Sequence, residues 1–299
     1  MILRIERHYN AQVPLQPGTA AAQRICEPVT EEMITTEVID TLVELPTGAV
    51  FYRDSGDTGV PVVFLHAASG NSMLWIHQIP AFVQAGYRFI AVDYRGAQRP
   101  EPRRDWSDQI EALVTKLAID RFHLVGTAAG GGAAFQYALA YPERVRSLIF
   151  ANSHGNVTDP DYIEMGKRIW PSPQFEALPT AFRELGPSYR AANPDGVAQW
   201  IALSTRKPAA EAAADGRLPD RFALTPERAV TWARLETLRM PVLLLTGDAD
   251  LYAPPSVLRM FSARIKHAES AIIPETGHTA FWENPEAFNR TVLAFIGQH

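Results

Sequence analysis

The feature that most constrains this chain is an apolar run that leads into a cluster of glycines. Residues 122–125 have the composition of a buried β-strand, a glycine-rich turn follows them, and residues 133–141 have the composition of a helix. Gly126 and Gly130 flank Ala128 at the spacing of a nucleophile elbow, a strained turn that holds one side chain above a sheet. The sequence therefore predicts that Ala128 lies at the apex of such a turn, where its methyl group cannot act as a nucleophile.

Composition excludes several classes of protein. A chain of 299 residues can bury one large core, so one domain with a large insertion is the simplest organisation. The net charge is −5 and the basic residues are scattered, so neither nucleic acid nor a membrane surface is an expected partner. Cys26 is the only cysteine, which excludes an intramolecular disulfide and a cysteine-based metal cluster. No apolar run reaches the ~18 residues of a membrane span, and we expect a cytoplasmic protein that needs no metal or cofactor.

Short apolar runs alternate with helical stretches along most of the chain. Residues 37–45 and 49–53 favour strands, and the intervening Pro46-Thr47-Gly48 predicts a hairpin. Six further runs predict strands, at residues 60–65, 89–93, 122–125, 145–152, 242–246 and 271–274. Strands that are apolar on both faces and separated by helices indicate a sheet covered on both sides. We therefore predict the α/β class, with a mostly parallel eight-stranded sheet.

Two segments fall outside this alternation. Residues 1–36 are irregular and predict an arm that lies on the body or reaches a second copy, which would make a homodimer. Residues 154–235 separate the sixth and seventh predicted strands and are too long for a simple crossover. They contain seven prolines between positions 171 and 219, many aromatic residues and a helix-favouring run at 209–214. We predict a helical cap here, inserted into a core formed by residues 37–153 and 236–299. Such a cap would cover the carboxyl ends of the strands, where open α/β sheets bind ligands.

Two polar side chains follow the last two predicted strands. Asp250 comes three residues after Gly247, where a carboxylate can orient and charge-balance an imidazole. Asp248 is the alternative acid, although its position also suits bonding to the backbone of the turn. His278 follows Gly277, which lets the loop carry the imidazole towards Ala128. The order of turn, acid and histidine along the chain predicts that His278 is catalytic.

The loop after residues 60–65 supplies candidate donors for a developing oxyanion. Acyl transfer uses two convergent N–H groups, one after the nucleophile and one from such a loop. Ala129 supplies the first, and Ala67 is preferred over Ala68 for the second. Packing of this loop against the turn is the simpler alternative. Ser69 is a candidate substrate contact, and it is a poor displaced nucleophile because no helix start or strained turn presents it.

The aromatic residues of the predicted cap indicate an apolar or aromatic small-molecule substrate, neutral or monoanionic, because no basic pocket accompanies them. Packing inside the cap is the alternative for more than half of them. The candidate substrate contacts are Trp170, Tyr189, Trp200 and Trp232.

Together these motifs make the chain resemble the α/β-hydrolase superfamily over about residues 37–299. Three further segments carry the resemblance: Asp93-Tyr94-Arg95-Gly96, Tyr141-Pro142-Glu143-Arg144-Val145 and Phe281-Trp282-Glu283-Asn284-Pro285. The resemblance implies an α/β-hydrolase fold with a helical cap inserted after the sixth strand. Within the superfamily, the chain resembles the esterases, lactonases and carbon–carbon bond hydrolases, which work through a Ser-His-Asp triad.

The chain departs from the family pattern at several positions. Alanine follows His66 where glycine is usual, and residues 97–99 differ from the usual Gly-x-Ser. Position 128 carries no aspartate, so chemistry with a carboxylate nucleophile is not supported. Asn152 and Ser153 are not acids, which disfavours an acid placed after the sixth strand.

Three functional hypotheses remain open. The first is an ester, lactone or vinylogous diketone hydrolase in which Ala128 replaces the nucleophilic serine and inactivates the chain. The second is a nucleophile-free enzyme, such as a lyase, decarboxylase or water-activating hydrolase, that uses His278 and Asp250. The third is a binding protein on the same scaffold, against which the retention of both polar residues argues.

Overall fold

The computed structural model describes residues 38–56, 59–93, 106–206 and 226–299. Its sheet contains the strands β1 (Ile39–Leu45), β2 (Gly48–Asp54), β3 (Val60–Leu65), β4 (Tyr87–Asp93), β5 (Phe122–Thr127), β6 (Val145–Ala151), β7 (Val242–Gly247) and β8 (Glu269–Ile273). Their order across the sheet is β1-β2-β4-β3-β5-β6-β7-β8. Antiparallel pairing is confined to β1 with β2 and β2 with β4, and the other neighbours are parallel. The prediction of a mostly parallel eight-stranded sheet is confirmed.

Helices cover both faces of this sheet. Within the described residues they are α1 (Gln78–Gln84), α2 (Trp106–Lys116), α3 (Ala129–Ala140), α4 (Pro160–Ile169), α5 (Pro173–Glu176), α6 (Thr180–Glu184), α7 (Pro187–Ala192), α8 (Pro194–Ser204), α9 (Trp232–Leu235), α10 (Pro255–Arg264), α11 (Ala280–Glu283) and α12 (Pro285–Ile296). None of these helices is long and apolar enough to span a membrane.

The central strands are buried because side chains on both of their faces enter hydrophobic clusters. Successive strand residues point to opposite faces, so Leu124 joins the cluster that packs on α2, α3 and α10. Its neighbour Val125 joins the cluster that packs on α1 and α12. Leu244 and Leu245 divide between the two clusters in the same way. The continuous apolar runs of β5 and β7 follow from this two-sided burial.

Prolines that look like interruptions in the sequence begin helices in the fold. Helices α4, α5, α7 and α8, which lie between β6 and β7, each have proline in the first turn. Proline suits this position because its fixed φ matches the helix and no hydrogen bond is lost. Ser172 and Asn193 cap α5 and α8 by accepting from backbone N–H groups. The division into a core and a cap with the predicted limits stays a prediction.

Several predicted boundaries change. Strand β4 begins at Tyr87, two residues earlier than predicted, and β8 covers Glu269–Ile273 instead of 271–274. Helix α3 begins at Ala129, four residues earlier than predicted, because tertiary packing overrides the low helix propensity of three glycines. The predicted arm at 1–36 and the helix-favouring run at 209–214 lie outside the described residues.

Gly130 permits a close approach between α3 and the end of β3. A Cβ atom at Gly130 would lie 2.3 Å from the carbonyl oxygen of Leu65 and 2.8 Å from that of His66. Both atoms belong to the backbone, so a rotamer change cannot relieve the contact. The first turn of α3 is therefore pressed against the loop that begins at His66.

We predict that Gly130→Ala lowers the free energy of unfolding by about 1–3 kcal/mol, the range that overpacking typically costs. Urea denaturation with a shared m-value measures the change. Gly297→Ala is the control, because Gly297 has an ordinary φ of −67° and its nearest Cβ contact is 3.1 Å. We expect this control to change stability by less than about 0.5 kcal/mol. Equal effects of the two substitutions would contradict the close approach.

Candidate active site

Ala128 lies at the turn between β5 and α3 in a strained backbone conformation. Its φ is 52° and its ψ is −117°, a region that residues with a side chain rarely adopt. The turn is fixed because Ala128 donates from N to the carbonyl of Ala151 at 3.0 Å and its own carbonyl accepts from Ser153 Oγ. The Ala128 side chain is partly exposed, whereas Thr127 is fully buried. Burial therefore removes Thr127 as an alternative nucleophile in this conformation.

Asp250 and His278 form a buried pair after β7 and β8. The imidazole Nδ1 lies 2.9 Å from Asp250 Oδ1 and 3.0 Å from Oδ2. Both side chains are almost completely buried, with 8% of the His278 side chain and 0% of the Asp250 side chain exposed. Asp248, the alternative acid, is exposed to solvent. The structure thus brings together the preferred acid and the predicted histidine.

Further hydrogen-bond donors besides His278 hold the Asp250 carboxylate. The backbone N–H groups of Tyr252 and Ala253 donate to Oδ1 at 2.8 and 2.9 Å. Asn152 Nδ2 donates to Oδ2 at 2.9 Å and also to the carbonyl of Gly277 at 3.1 Å. Sequence analysis considered Asn152 only as a position that lacks an acid. In the fold it joins the acid to the loop that carries the histidine.

Opposing effects set the pKa values of the pair. Burial alone would raise the pKa of Asp250, but the charge and hydrogen bond of His278, together with the other donors, lower it to about 2. Burial alone would lower the pKa of His278, but the charge and hydrogen bond of Asp250 raise it. The pair therefore favours an ionised carboxylate and an imidazole that readily holds a second proton.

Glu283 and Glu184 connect the histidine loop to the segment between β6 and β7. Glu283 Oε2 accepts from the N–H groups of Gly186 at 2.8 Å and Gly277 at 2.9 Å. His278 donates from its backbone N to the carbonyl of Glu184 at 2.8 Å. Residues 184–186 thus lie directly against the loop that positions the imidazole.

The loop after β3 places its predicted residues differently. Ala67 is buried and accepts from Gly70 N at 3.1 Å, whereas Ala68 is exposed. Ala129 is exposed at the start of α3. Ser69 Oγ donates to Glu184 Oε2 at 2.5 Å. The oxyanion roles of the three alanines stay predictions.

Asp93 fixes the same loop from the end of β4. Its carboxylate accepts from Ser72 N at 2.6 Å and from Ser72 Oγ at 3.1 Å. Asp93 opens a segment that suggested the family resemblance in the sequence. Residues 94–96, which complete that segment, and the departure from the family pattern at 97–99 lie outside the described residues.

Three side chains beside the pair were not predicted from the sequence. The Tyr252 ring lies 4.7 Å from the His278 ring, centroid to centroid. Burial, followed by the positive charge of His278, lowers the pKa of His154 to about 4. Burial raises the pKa of Glu184, and the charge of His278 is the largest opposing effect. Each of the three comes close to His278 only because a different part of the chain folds back to it. None of them therefore carries a local sequence signal beyond its residue type.

The four candidate aromatic contacts divide by burial. Trp200 is 1% exposed within the cluster that contains Trp75 and Phe281, and Trp232 is 4% exposed against Phe261. These two indoles contribute to the hydrophobic core, so they do not enter the binding site proposed below. Trp170 and Tyr189 are only partly buried. The Trp170 ring lies 5.8 Å from that of His154, which brings it near the pair.

Among the described residues, no three histidine, cysteine, aspartate or glutamate side chains cluster in a way that could hold a metal ion.

Comparison with known proteins identifies the family. The model of the alpha/beta hydrolase fold family matches residues 60–285, so this chain belongs to that family. A 2-hydroxy-6-oxononadienedioate/2-hydroxy-6-oxononatrienedioate hydrolase of Cupriavidus pinatubonensis is 28% identical over 93% of this chain and 99% of its own length. Such relatives support a hydrolase.

Solved structures show the same fold. A thermophilic esterase from Thermogutta terrifontis matches with a TM-score of 0.67 and 21% identity over 87% of this chain and 98% of the esterase. The naproxen esterase from Bacillus subtilis matches with a TM-score of 0.66 and 24% identity over 87% of this chain and 92% of the esterase. The predicted α/β-hydrolase fold is therefore confirmed.

We predict that Asp250→Asn lowers the pKa of His278, because the carboxylate charge that raises this pKa is lost while burial remains. The asparagine oxygen can still accept from the backbone of residues 252 and 253, so the turn is preserved. NMR titration of the His278 ring measures the shift. Asp248→Asn removes one charge from the same turn and serves as the control. An equal shift in both variants would contradict the assigned pairing.

We predict that His154 makes stability depend on pH. Its pKa is about 4 in the folded protein against 6.5 for an ordinary histidine. Between these values the unfolded chain binds a proton that the folded chain does not, so the free energy of unfolding falls as pH falls. His154→Phe should reduce this loss between pH 7 and pH 4 by about 1–3 kcal/mol. Unchanged pH dependence in denaturation curves would show that the imidazole is not buried as described.

Proposed function

We propose that this protein is an α/β-fold hydrolase for an ester, a lactone or a vinylogous diketone of a largely apolar small molecule. Position 128 is its nucleophile position, and His278 with Asp250 is its acid–base pair. The observation that carries this proposal is the buried contact of 2.9 Å between His278 Nδ1 and Asp250, beside a strained turn of the nucleophile-elbow type.

The strand order supports a common site for these groups. Strands β5, β6 and β7 are neighbours and parallel, so Ala128, Asn152 and Asp250 follow them at the same edge of the sheet. Adjacent strands are about 4.8 Å apart, so β5 and β7 are separated by roughly 10 Å at that edge. An imidazole attached after β8 and held by Asp250 would bridge much of that interval. This arrangement suits proton transfer to or from a group at position 128.

With serine at position 128, the proposed chemistry would proceed through an acyl-enzyme. The serine oxygen attacks the substrate carbonyl while His278 accepts its proton, and Asp250 stabilises the resulting imidazolium. The N–H groups of Ala129 and Ala67 would bind the oxyanion. His278 then returns the proton to the leaving group and activates the water that releases the product.

With Ala128, the covalent step is blocked. A methyl group has neither a lone pair to attack a carbonyl nor a proton for His278 to accept. The remaining groups can bind a carbonyl substrate and polarise it. We therefore expect this chain to hydrolyse esters at a rate little above background.

We further propose that residues 154–235 form a cap over the site. The contacts of Glu184 and Gly186 with the histidine loop support this assignment. Trp170 and Tyr189 are the aromatic side chains that we assign to substrate contact, because both keep exposed surface. The name of the Cupriavidus relative supports a vinylogous diketone within the proposed substrate range.

A second candidate function is nucleophile-free acid–base catalysis, such as a lyase or decarboxylase reaction. The observation that favours it is the presence of two further titratable groups, His154 and Glu184, whose pKa values are both influenced by the charge of His278. Such groups can exchange protons with a bound substrate without a covalent intermediate. This candidate predicts activity of the unmodified chain that depends on His278.

We predict that Ala128→Ser creates an ester or lactone hydrolase. Losing a nucleophile typically costs several orders of magnitude, so restoring one should raise kcat/KM by about a hundred-fold or more. Hydrolysis of p-nitrophenyl esters and of a lactone panel, with a stoichiometric burst, measures the gain. Ala129→Ser places a hydroxyl one residue away and is the matched control. Adding His278→Ala to Ala128→Ser should abolish the activity.

Two outcomes would contradict the leading proposal. The first is no gain from Ala128→Ser on any ester or lactone, together with activity of the unmodified chain that depends on His278. That result supports nucleophile-free catalysis. The second is a robust burst from the unmodified chain, which would require a nucleophile elsewhere.

A further inference from the structure

A buried carboxylate on the segment between β6 and β7 belongs to a residue that touches two loops of the candidate site. Glu184 ends helix α6 and is 7% exposed. Its carboxylate accepts from Ser69 Oγ at 2.5 Å, in the loop that contains the candidate oxyanion donors. Its backbone carbonyl accepts from His278 N at 2.8 Å. Glu184 thus contacts both loops between which a substrate carbonyl would lie.

The docking of Glu184 depends on close packing against the histidine loop. A Cβ atom at Gly277 would lie 2.8 Å from the Glu184 carbonyl oxygen and 2.6 Å from Gly186 N. Since both contacts are with backbone atoms, the absence of a side chain at Gly277 is what permits the approach. The position of Glu184 is therefore set by the same loop that sets His278.

The described residues contain no lysine or arginine that forms an ion pair with the Glu184 carboxylate. The adjacent Arg183 pairs with Glu176 at 2.7 Å and donates to the Tyr252 hydroxyl at 2.5 Å, and its charge lowers the pKa of Glu184 less than that of His278 does. Burial raises the pKa of Glu184, and His278 supplies the largest opposing charge, which Asp250 already shares. A ligand that enters beside Glu184 therefore meets a carboxyl group whose positive neighbours, His278 and Arg183, are already paired with other carboxylates.

The charge of a ligand group strongly affects its binding beside a buried carboxylate. Two charges a few ångströms apart interact much more strongly in a partly buried site than in water. A second carboxylate beside Glu184 would be repelled or would force one of the two groups to take up a proton. A cationic group would supply the missing counter-charge, and an uncharged group would avoid the repulsion.

We propose that Glu184 is a specificity-determining residue that excludes substrates with a carboxylate near the reacting carbonyl and admits neutral or cationic ones. This inference rests on the proposed function, because it assigns a substrate class to the same site. It also separates this protein from the Cupriavidus relative, whose name describes hydrolysis of a dioate. The selected substrate is thus an ester, lactone or diketone that is uncharged or cationic close to the carbonyl.

The test compares three matched esters: phenyl acetate, 4-acetoxybenzoate and 4-(trimethylammonio)phenyl acetate. Turnover is measured at pH 8 in the Ala128→Ser protein with and without Glu184→Gln. Glutamine can still accept from Ser69, so the contact remains while the charge is lost. We expect Glu184→Gln to raise kcat/KM for the anionic ester relative to the neutral one by about ten-fold, and to lower the relative value for the cationic ester.

Two further variants control for charge and for folding. Glu164→Gln removes a fully exposed charge from α4 and should leave all three ratios unchanged. Glu184→Asp keeps the charge and should keep the discrimination against the anionic ester. If Glu184→Gln fails to fold, the kcat/KM values of the three esters are ranked in the Ala128→Ser protein and in the same protein with Glu184→Asp added. These two rankings then decide whether Glu184 discriminates against the anionic ester. Preference for the anionic ester in those two proteins would overturn the proposal.

A binding measurement separates this inference from the proposed function. Calorimetric titration of the unmodified chain and of Glu184→Gln with the same esters requires no turnover. If Ala128→Ser hydrolyses no ester but binding still discriminates against 4-acetoxybenzoate through Glu184, the function fails and the inference stands. If Ala128→Ser hydrolyses phenyl acetate but Glu184→Gln leaves the ratios unchanged, the function stands and the inference fails. No binding or turnover of any ester overturns both.

Discussion

The buried pair of Asp250 and His278 is the interaction around which the candidate site is organised. A carboxylate in an apolar interior is costly unless its oxygens are hydrogen-bonded and its charge is balanced. Here the imidazole, two backbone N–H groups and the amide of Asn152 meet those needs. Because these donors follow β6, β7 and β8, the register of the parallel strands determines whether the pair can form.

The same pair reaches the segment between β6 and β7 through the histidine loop. Glu283 accepts from Gly277 on one side and Gly186 on the other, and the Glu184 carbonyl accepts from His278 N. Displacing residues 184–186 would therefore break hydrogen bonds that position the imidazole. The geometry couples the segment between β6 and β7 to the Asp250–His278 pair, and it brings the Glu184 carboxylate against the loop at Ser69.

The strain at Ala128 has a cause that is independent of its side chain. A residue held at a φ of 52° persists only where the surrounding structure fixes it. That constraint comes from backbone pairing with Ala151, from the Ser153 hydroxyl and from the close packing of Gly130 in the first turn of α3. The turn can therefore keep its shape with a methyl group at the apex, and Asp250 and His278 keep their own hydrogen bonds.

The sequence by itself determined the sheet, and it pointed to the turn at Ala128 and to Asp250 and His278, because each has a local signal. An apolar run ends, small residues follow, and a polar side chain comes at a short fixed interval. Only the tertiary structure decided that Glu184 contacts the loop at Ser69 and that Trp200 and Trp232 join the hydrophobic core. Glu184 meets Ser69 across 115 positions of the chain. Local propensity carries no information about such a contact, since it depends on how helices and distant loops pack over the finished sheet.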